Sequence, residues 1–325
     1  MIAAPAKISA LGMYVPAGIL RNTDLERMVE TSDEWILKRT GIRTRHVVSE
    51  GEFASDLAFG AIDDLLAHNP AAALARVDYV IVASTTADYV YPSLAAMIQE
   101  RFALSKKCGA VDIEATCAGF EYAVNLACGL IASGQASCVL AVAAEALTRS
   151  ADYTDRATCV LFGDGAGAAL IERSDEPGIF GMTAGVDGSG GPSLYRTSLR
   201  TDIGGIDDPS GVLRQNGQDV YRWVLENIPD FIARTLERAG MHLDEVDFFV
   251  PHSANLRMIE ALAKRTGIPM EKTLLSIVDY GNTSSVSIPL AIIPALRSGR
   301  VKAGNKLLCV GFGGGLVSAG NVILL

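Results

Sequence analysis

The feature that most restricts the fold of this chain is a repeated alternation of short apolar runs with segments of helical period. Strand-like runs read at 78–84, 109–113, 137–143 and 167–172, and again at 246–250, 306–311 and 316–325. Apolar residues recur at helical spacing over 54–67, 93–102, 119–133, 219–239, 256–265 and 286–296. A strand that returns beside a parallel neighbour needs a crossover, usually a helix, so the alternation predicts an α/β protein with helix-covered parallel sheets. Gly-rich loops at 163–167 and 311–315 each separate two apolar runs, an internal echo that predicts two similar halves. The turn-rich Ser174-Asp175-Glu176-Pro177-Gly178 predicts their boundary, giving halves 1–174 and 175–325. The Gly/Pro/Ser/Asp-rich stretch 185–217 reads as a long surface excursion, of the kind that shapes a binding entrance.

The chemistry concentrates at element ends. The apolar run 109–113 breaks at Glu114-Ala115-Thr116-Cys117-Ala118-Gly119-Phe120 into a helical segment, which puts Cys117 at a strand-to-helix junction. A helix N-terminus offers unpaired N–H groups and partial positive charge, so this position favours a thiolate nucleophile for acyl transfer. A buried structural cysteine fits the segment alone equally well. The run 246–250 leads into Pro251-His252-Ser253-Ala254-Asn255; proline has no N–H, so Pro251 is expected to stop the ladder and leave His252 at a strand's C-terminal end. Among the four histidines, only His252 sits at a strand end beside small polar residues. Asn282, after Gly281 and before the helical run 286–296, can hold its amide toward a site. A Cys, a His and an Asn at element ends suit an acyl-transferring or decarboxylating centre.

Composition excludes several classes. The net charge of −9 argues against a nucleic-acid binder, and no apolar run has the length and purity of a membrane span. The N-terminus lacks a basic region followed by a cleavage site, and the six cysteines contain no CxxC pair, which suits reduced thiols in the cytoplasm. There is no Walker A loop and no convincing metal cluster. Gly163-Asp164-Gly165-Ala166-Gly167 superficially resembles a dinucleotide fingerprint, but a strand-like run follows it where a helix is required.

Taken in order, six segments resemble the 3-oxoacyl-[acyl-carrier-protein] synthase III family of the thiolase superfamily. They are Thr31-Ser32-Asp33-Glu34-Trp35-Ile36 with Arg39-Thr40-Gly41-Ile42, Thr116-Cys117-Ala118-Gly119-Phe120, Phe162-Gly163-Asp164-Gly165-Ala166-Gly167-Ala168, Pro251-His252-Ser253-Ala254-Asn255, Tyr280-Gly281-Asn282-Thr283-Ser284 and Phe312-Gly313-Gly314-Gly315. The resemblance spans essentially the whole chain. Ser253 stands where that family usually has Gln.

The resemblance implies a duplicated, five-layered α-β-α-β-α thiolase-like fold and the initiating condensation of type II fatty-acid synthesis. In that reaction an acyl-CoA acylates Cys117, and malonyl-acyl carrier protein then loses carbon dioxide and condenses. His252 and Asn282 are implied as donors to the enolate oxygen, with backbone N–H groups of Cys117 and Gly314 as the oxyanion hole. Trp35 and Arg156 match the pair that sandwiches adenine, Arg39 the residue meeting the CoA phosphates, and Thr31 lies close by. Gly217, Tyr221, Ala254 and Asn255 match pantetheine-channel positions. Tyr91, reaching across a homodimer, and Phe312 match the acyl pocket. Arg222, Arg257, Lys264 and Arg265 match a basic patch for the acidic carrier protein, a partner a net acidic protein needs local positive charge to attract. Coenzyme A thioester enters as substrate, and no cofactor or metal is implied.

Two other readings stay open on the sequence. One is a relative that uses the same residues on another thioester, such as a dicarboxylic acyl group toward a pimeloyl chain or a secondary-metabolite starter; Arg149 could meet a distal carboxylate, or be neutralised by Asp152 or Asp155. The other is a non-catalytic homologue, which would be expected to lack Cys117.

Overall fold

A computed structural model describes residues 1–325. Ten strands form two five-stranded sheets: β1 (Ala3–Ala4), β2 (Ala6–Tyr14), β3 (Tyr79–Ala83), β4 (Gly109–Ile113), β5 (Cys138–Glu145), β6 (Gly165–Arg173), β7 (Ile179–Val186), β8 (Phe248–Pro251), β9 (Lys306–Gly313) and β10 (Val317–Leu324). The main helices are α1 (Asp33–Thr40), α2 (Ala54–His68), α3 (Leu94–Arg101), α4 (Gly119–Ala132), α5 (Gly217–Ala239), α6 (Leu256–Thr266) and α7 (Ser287–Arg297). The first sheet has the order β2-β6-β5-β3-β4 and the second β1-β7-β10-β9-β8.

The two sheets repeat one connectivity. In each, the last strand of the half lies between the first and fourth, and the second strand pairs in parallel with the fourth. An isolated parallel bridge, Phe249 to Thr273, stands where the second sheet would carry its third strand. The start of the chain belongs to the other half's sheet, because β1 pairs with β7.

Side-chain alternation builds the layers. Along β3, Ile81 and Ala83 point to a central core while Val80 and Val82 face a second core under α2 and α3. Along β9, Leu307 and Cys309 join the same central core, and Leu308, Val310 and Phe312 face α5 and α6. Period-2 alternation thus buries both faces of each sheet. Between the sheets lie α4 and α7, which contribute Phe120, Val124 and Ile131, and Ile288, Leu290 and Ile292. The result is the five-layered α-β-α-β-α arrangement.

Two expectations are corrected. The sheets are mixed, since β6 and β10 run antiparallel to both neighbours. Only three residues separate β9 from β10, too few for the crossover that a parallel return requires. Pro251 does not stop its ladder: it lies opposite Val310, and the next N–H, from His252, donates to the Val310 carbonyl at 2.8 Å. Successive N–H groups of a strand point to opposite sides, so the proline's missing donor falls on the side away from β9.

Candidate active site

Cys117 sits in a single tight turn, Thr116–Ala118, that runs directly into α4. The turn is held open by backbone conformation. Thr116 adopts φ +42°, uncommon for a residue with a Cβ, and its hydroxyl donates to the Gly314 carbonyl at 2.9 Å. The Gly313-Gly314-Gly315 turn therefore lies against the cysteine. A Cβ on Gly313 would stand 2.7 Å from Cys117 Cβ and 2.9 Å from its sulfur, so only glycine allows this approach.

Cys117 is nearly enclosed, at 9% exposure, and burial pushes the pKa of its thiol up to about 12. The Ser284 hydroxyl, donating to Sγ at 3.4 Å, opposes this, as do backbone groups of Cys117 and Gly314. The expectation that the helix start holds a resting thiolate is thus corrected: desolvation outweighs the terminal N–H groups, and the thiol is the ground state.

His252 and Asn282 line the same cavity, of about 720 Å³, as Cys117, Phe312 and Gly313 to Gly315. Burial pushes the His252 pKa down to about 3, so its ring is neutral. Phe312 packs edge-on against it, with centroids 5.4 Å apart. Its Nδ1 is 2.7 Å from Ser287 Oγ. Asn282 is fixed from both sides by backbone bonds to Leu161 and Gly163, and its Oδ1 accepts the Ser284 N–H at 2.9 Å. The side-chain NH₂ is left for the cavity. Ser284, like Thr116, has positive φ, at +52°.

The excursion 185–217 forms one wall, through Gly191, Leu194 to Ser198, Ile203, Leu213 and Gln215. Outside the cavity lining, Arg156 Cζ lies 5.1 Å and Arg39 Cζ 5.9 Å from the Trp35 ring centroid. Arg156 makes no ion pair with Asp155 or Asp164; it donates to the Glu30 carbonyl at 2.7 Å. Thr31 has a buried hydroxyl with no partner. Ala254 lies on the cavity wall, whereas Gly217 and Tyr221 on α5, and Asn255, lie outside its lining. Asn255 caps α6 and donates to the Arg39 carbonyl at 3.1 Å. Arg222 is exposed on α5, and Arg257, Lys264 and Arg265 are exposed on α6. Tyr91 is 85% exposed and outside the lining of this single chain's cavity, which Tyr89 and Val90 join. Arg149 stacks on Phe53 at 4.3 Å and donates to the Ser49 and Glu52 carbonyls, so neither Asp152 nor Asp155 neutralises it.

The sequence reading left roles for three groups undiscovered: Ser284 at the sulfur, Ser287 at the imidazole, and Glu145. Buried Glu145, its pKa pushed up to about 7 by desolvation, accepts from the Thr85 and Thr86 hydroxyls at 2.9 and 2.8 Å and from Ser285 at 3.1 Å. It ties the cavity-lining segment 84–88 to the turn that carries Ser284. The Asx turn at Asn282, which brings the Ser284 N–H back to Oδ1, was the available signal for Ser284.

Residues 236–325 match the family model described as 3-oxoacyl-[acyl-carrier-protein (ACP)] synthase III C terminal, and residues 111–188 match 3-oxoacyl-[acyl-carrier-protein (ACP)] synthase III. The chain is 49% identical over 320 residues, 98% of each chain, to beta-ketoacyl-[acyl-carrier-protein] synthase III 2 of Bacillus subtilis (strain 168). This chain belongs to the 3-oxoacyl-[acyl-carrier-protein] synthase III family. The crystal structure of the synthase III from Thermus thermophilus superposes with a TM-score of 0.94 at 42% identity, covering 98% of this chain and 99% of that one. The Aquifex aeolicus VF5 synthase III gives 0.91 at 36% identity, covering 98% and 100%. The protein is thus an acyltransferase of the synthase III type, a thiolase-fold condensing enzyme that initiates fatty-acid synthesis. The reading toward a dicarboxylic thioester or a specialised starter is not favoured. No helix is long and apolar enough to cross a membrane.

Proposed function

We propose that Cys117 is the acylated nucleophile, that an acyl-CoA is the primer, and that malonyl-acyl carrier protein is the second substrate. The observation that carries this reading is the convergence of Cys117, His252, Asn282 and the Gly314 turn on one cavity. The Cys117 sulfur attacks the thioester carbonyl, the C–S bond to coenzyme A breaks, and the thiol proton leaves with the coenzyme A thiol. Backbone N–H groups of Cys117 and Gly314 stabilise the tetrahedral oxyanion. The malonyl group then loses carbon dioxide, leaving an enolate whose oxygen receives hydrogen bonds from His252 and Asn282. The enolate carbon attacks the acyl-cysteine and expels the Cys117 thiolate, which takes a new proton from solvent to restore the thiol. A neutral His252 suits this role, because it donates without first having to lose or gain charge.

The remaining roles follow the same reading. Trp35 and Arg156 open to take adenine between them, Arg39 meets the phosphates, Thr31 contributes its unpartnered hydroxyl, and Gly217, Tyr221, Ala254 and Asn255 flank the pantetheine arm. Phe312 and the partner subunit's copy of Tyr91 bound the acyl pocket of a homodimer. Arg222, Arg257, Lys264 and Arg265 dock the carrier protein. The halves 1–174 and 175–325 act as one cytoplasmic enzyme with no resident cofactor, coenzyme A entering only as the substrate thioester.

Incubation with a radiolabelled acyl-CoA followed by digestion tests the nucleophile. Label belongs on the peptide carrying Cys117 and disappears in Cys117→Ser; label on another cysteine sinks the assignment.

A further inference from the structure

A buried serine cluster stands behind His252, outside the cavity lining. Ser253 and Ser287 are fully buried and Ser276 is 3% exposed. Ser287 Oγ lies 2.7 Å from His252 Nδ1 and accepts the Ser253 N–H at 3.3 Å. Ser276 locks the arrangement: its hydroxyl donates to the Ser287 carbonyl at 2.9 Å, and its N–H donates to Ser253 Oγ at 3.1 Å. Ser287 Oγ is thus already an acceptor. Its single proton has one acceptor within hydrogen-bond reach, the imidazole Nδ1. A neutral imidazole that accepts at Nδ1 carries its own proton on Nε2.

We infer that Ser287 is a positioning residue that holds His252 in the Nε2–H tautomer, so that the ring meets the cavity as a hydrogen-bond donor. The inference rests on the proposed donor role of His252. The opposite tautomer would turn a lone pair toward the forming enolate oxygen and repel it. The imidazole also meets the Ser284 backbone in a hydrogen bond that favours a protonated ring nitrogen, and two further contacts restrain its placement. The edge-on Phe312 ring restrains the imidazole plane, and the His252 N–H bond to Val310 anchors the backbone. Ser287 opens α7 at its first residue, so the hydroxyl is carried by a rigid element of the central layer.

Two-bond ¹H–¹⁵N correlation on ¹⁵N-histidine-labelled full-length protein reads the tautomer directly. His252→Gln identifies the His252 signals among the four histidines. The wild type is expected to show a protonated Nε2 and a bare Nδ1. Ser287→Ala should give a tautomer mixture and lower kcat for condensation by roughly tenfold to a hundredfold, short of the full loss of an oxyanion donor. Its formation of acyl-Cys117 should persist, with an unchanged KM for acyl-CoA. Ser287→Cys, which keeps a weaker donor, should fall between. A bare Nε2 in the wild type overturns the inference without any variant. So does Ser287→Ala with wild-type tautomer and wild-type condensation. Full condensation by His252→Ala, which has no side-chain donor, would instead remove the donor role of His252 and leave the wild-type tautomer measurement standing on its own.

Discussion

At the scale of single residues, enclosure decides the chemistry more than charge does. Cys117 has lost so much solvent that neither Ser284 nor the adjacent backbone groups recover a thiolate. Its reactivity toward a small alkylating agent should therefore track the thiolate fraction over a wide range. Iodoacetamide labelling, followed on the Cys117 peptide by mass spectrometry, is expected to accelerate about tenfold per pH unit from pH 7 to 10 without a plateau. A plateau below pH 8 would show a stabilised thiolate at rest. The same enclosure explains why the sequence overstated the thiolate. A helix start is legible in a string of residues; the depth at which the fold buries it is not. Cys117, His252 and Asn282 were legible because each stands at an element end, whereas Ser287 reads as one more small residue at the start of an apolar helix. Its role depends on a neighbour 35 positions away.

At the scale of elements, close approach sets the composition. Most of the strand and helix pattern was readable, and the run 109–113 coincides with β4. β2 and β7 escaped, because their Ala, Gly and Ser residues have weak strand signatures. The reason is packing: a Cβ on Gly12 in β2 would stand 2.3 Å from the Ala61 carbonyl of α2. Helix α1, with Ser32 as its N-cap and Gly41 at φ +77° closing it, carried readable end signals but only a weak apolar stripe. Gly313 in β9 shows the functional version of the same constraint. Gly313→Ala is expected to displace Cys117 and reduce acyl-CoA labelling of the protein by at least about a hundredfold, as for misplaced reacting groups. Gly188→Ala, where the added Cβ meets nothing within 4 Å, is expected to label normally. Equal labelling in the two variants would mean that the Gly313 contact does not position the nucleophile.

At the scale of the whole molecule, two surface features allow the proposed partners to be tested separately. The buried face of α6 carries Met258, Ile259, Leu262 and Ala263, leaving Arg257, Lys264 and Arg265 outward. Charge reversal by Arg257→Glu should raise KM for malonyl-acyl carrier protein severalfold and flatten its salt dependence, while acyl-CoA labelling stays as it was. An unchanged KM and salt slope would move the docking site off α6. A second surface pairs the exposed edge strand β4 with the protruding Tyr89, Val90 and Tyr91. Sedimentation is expected to give a dimer, and Tyr91→Ala to change the preferred primer length. An active monomer, or an unaltered primer profile, would remove Tyr91 from the pocket.

The contact between Gly313 and Cys117 has one further consequence. The sulfur is supplied by the first half of the chain, while Gly313, Ser284, His252 and Asn282 come from the second. The reactive centre is therefore a joint between two repeated bodies, packed so closely that a Cβ added at Gly313 would stand within 3 Å of Cys117. Turnover consequently gauges how squarely the two bodies are seated. A distant substitution that shifts α4 against α7 by about 1 Å is expected to lower turnover by on the order of a hundredfold while both sheets stay folded.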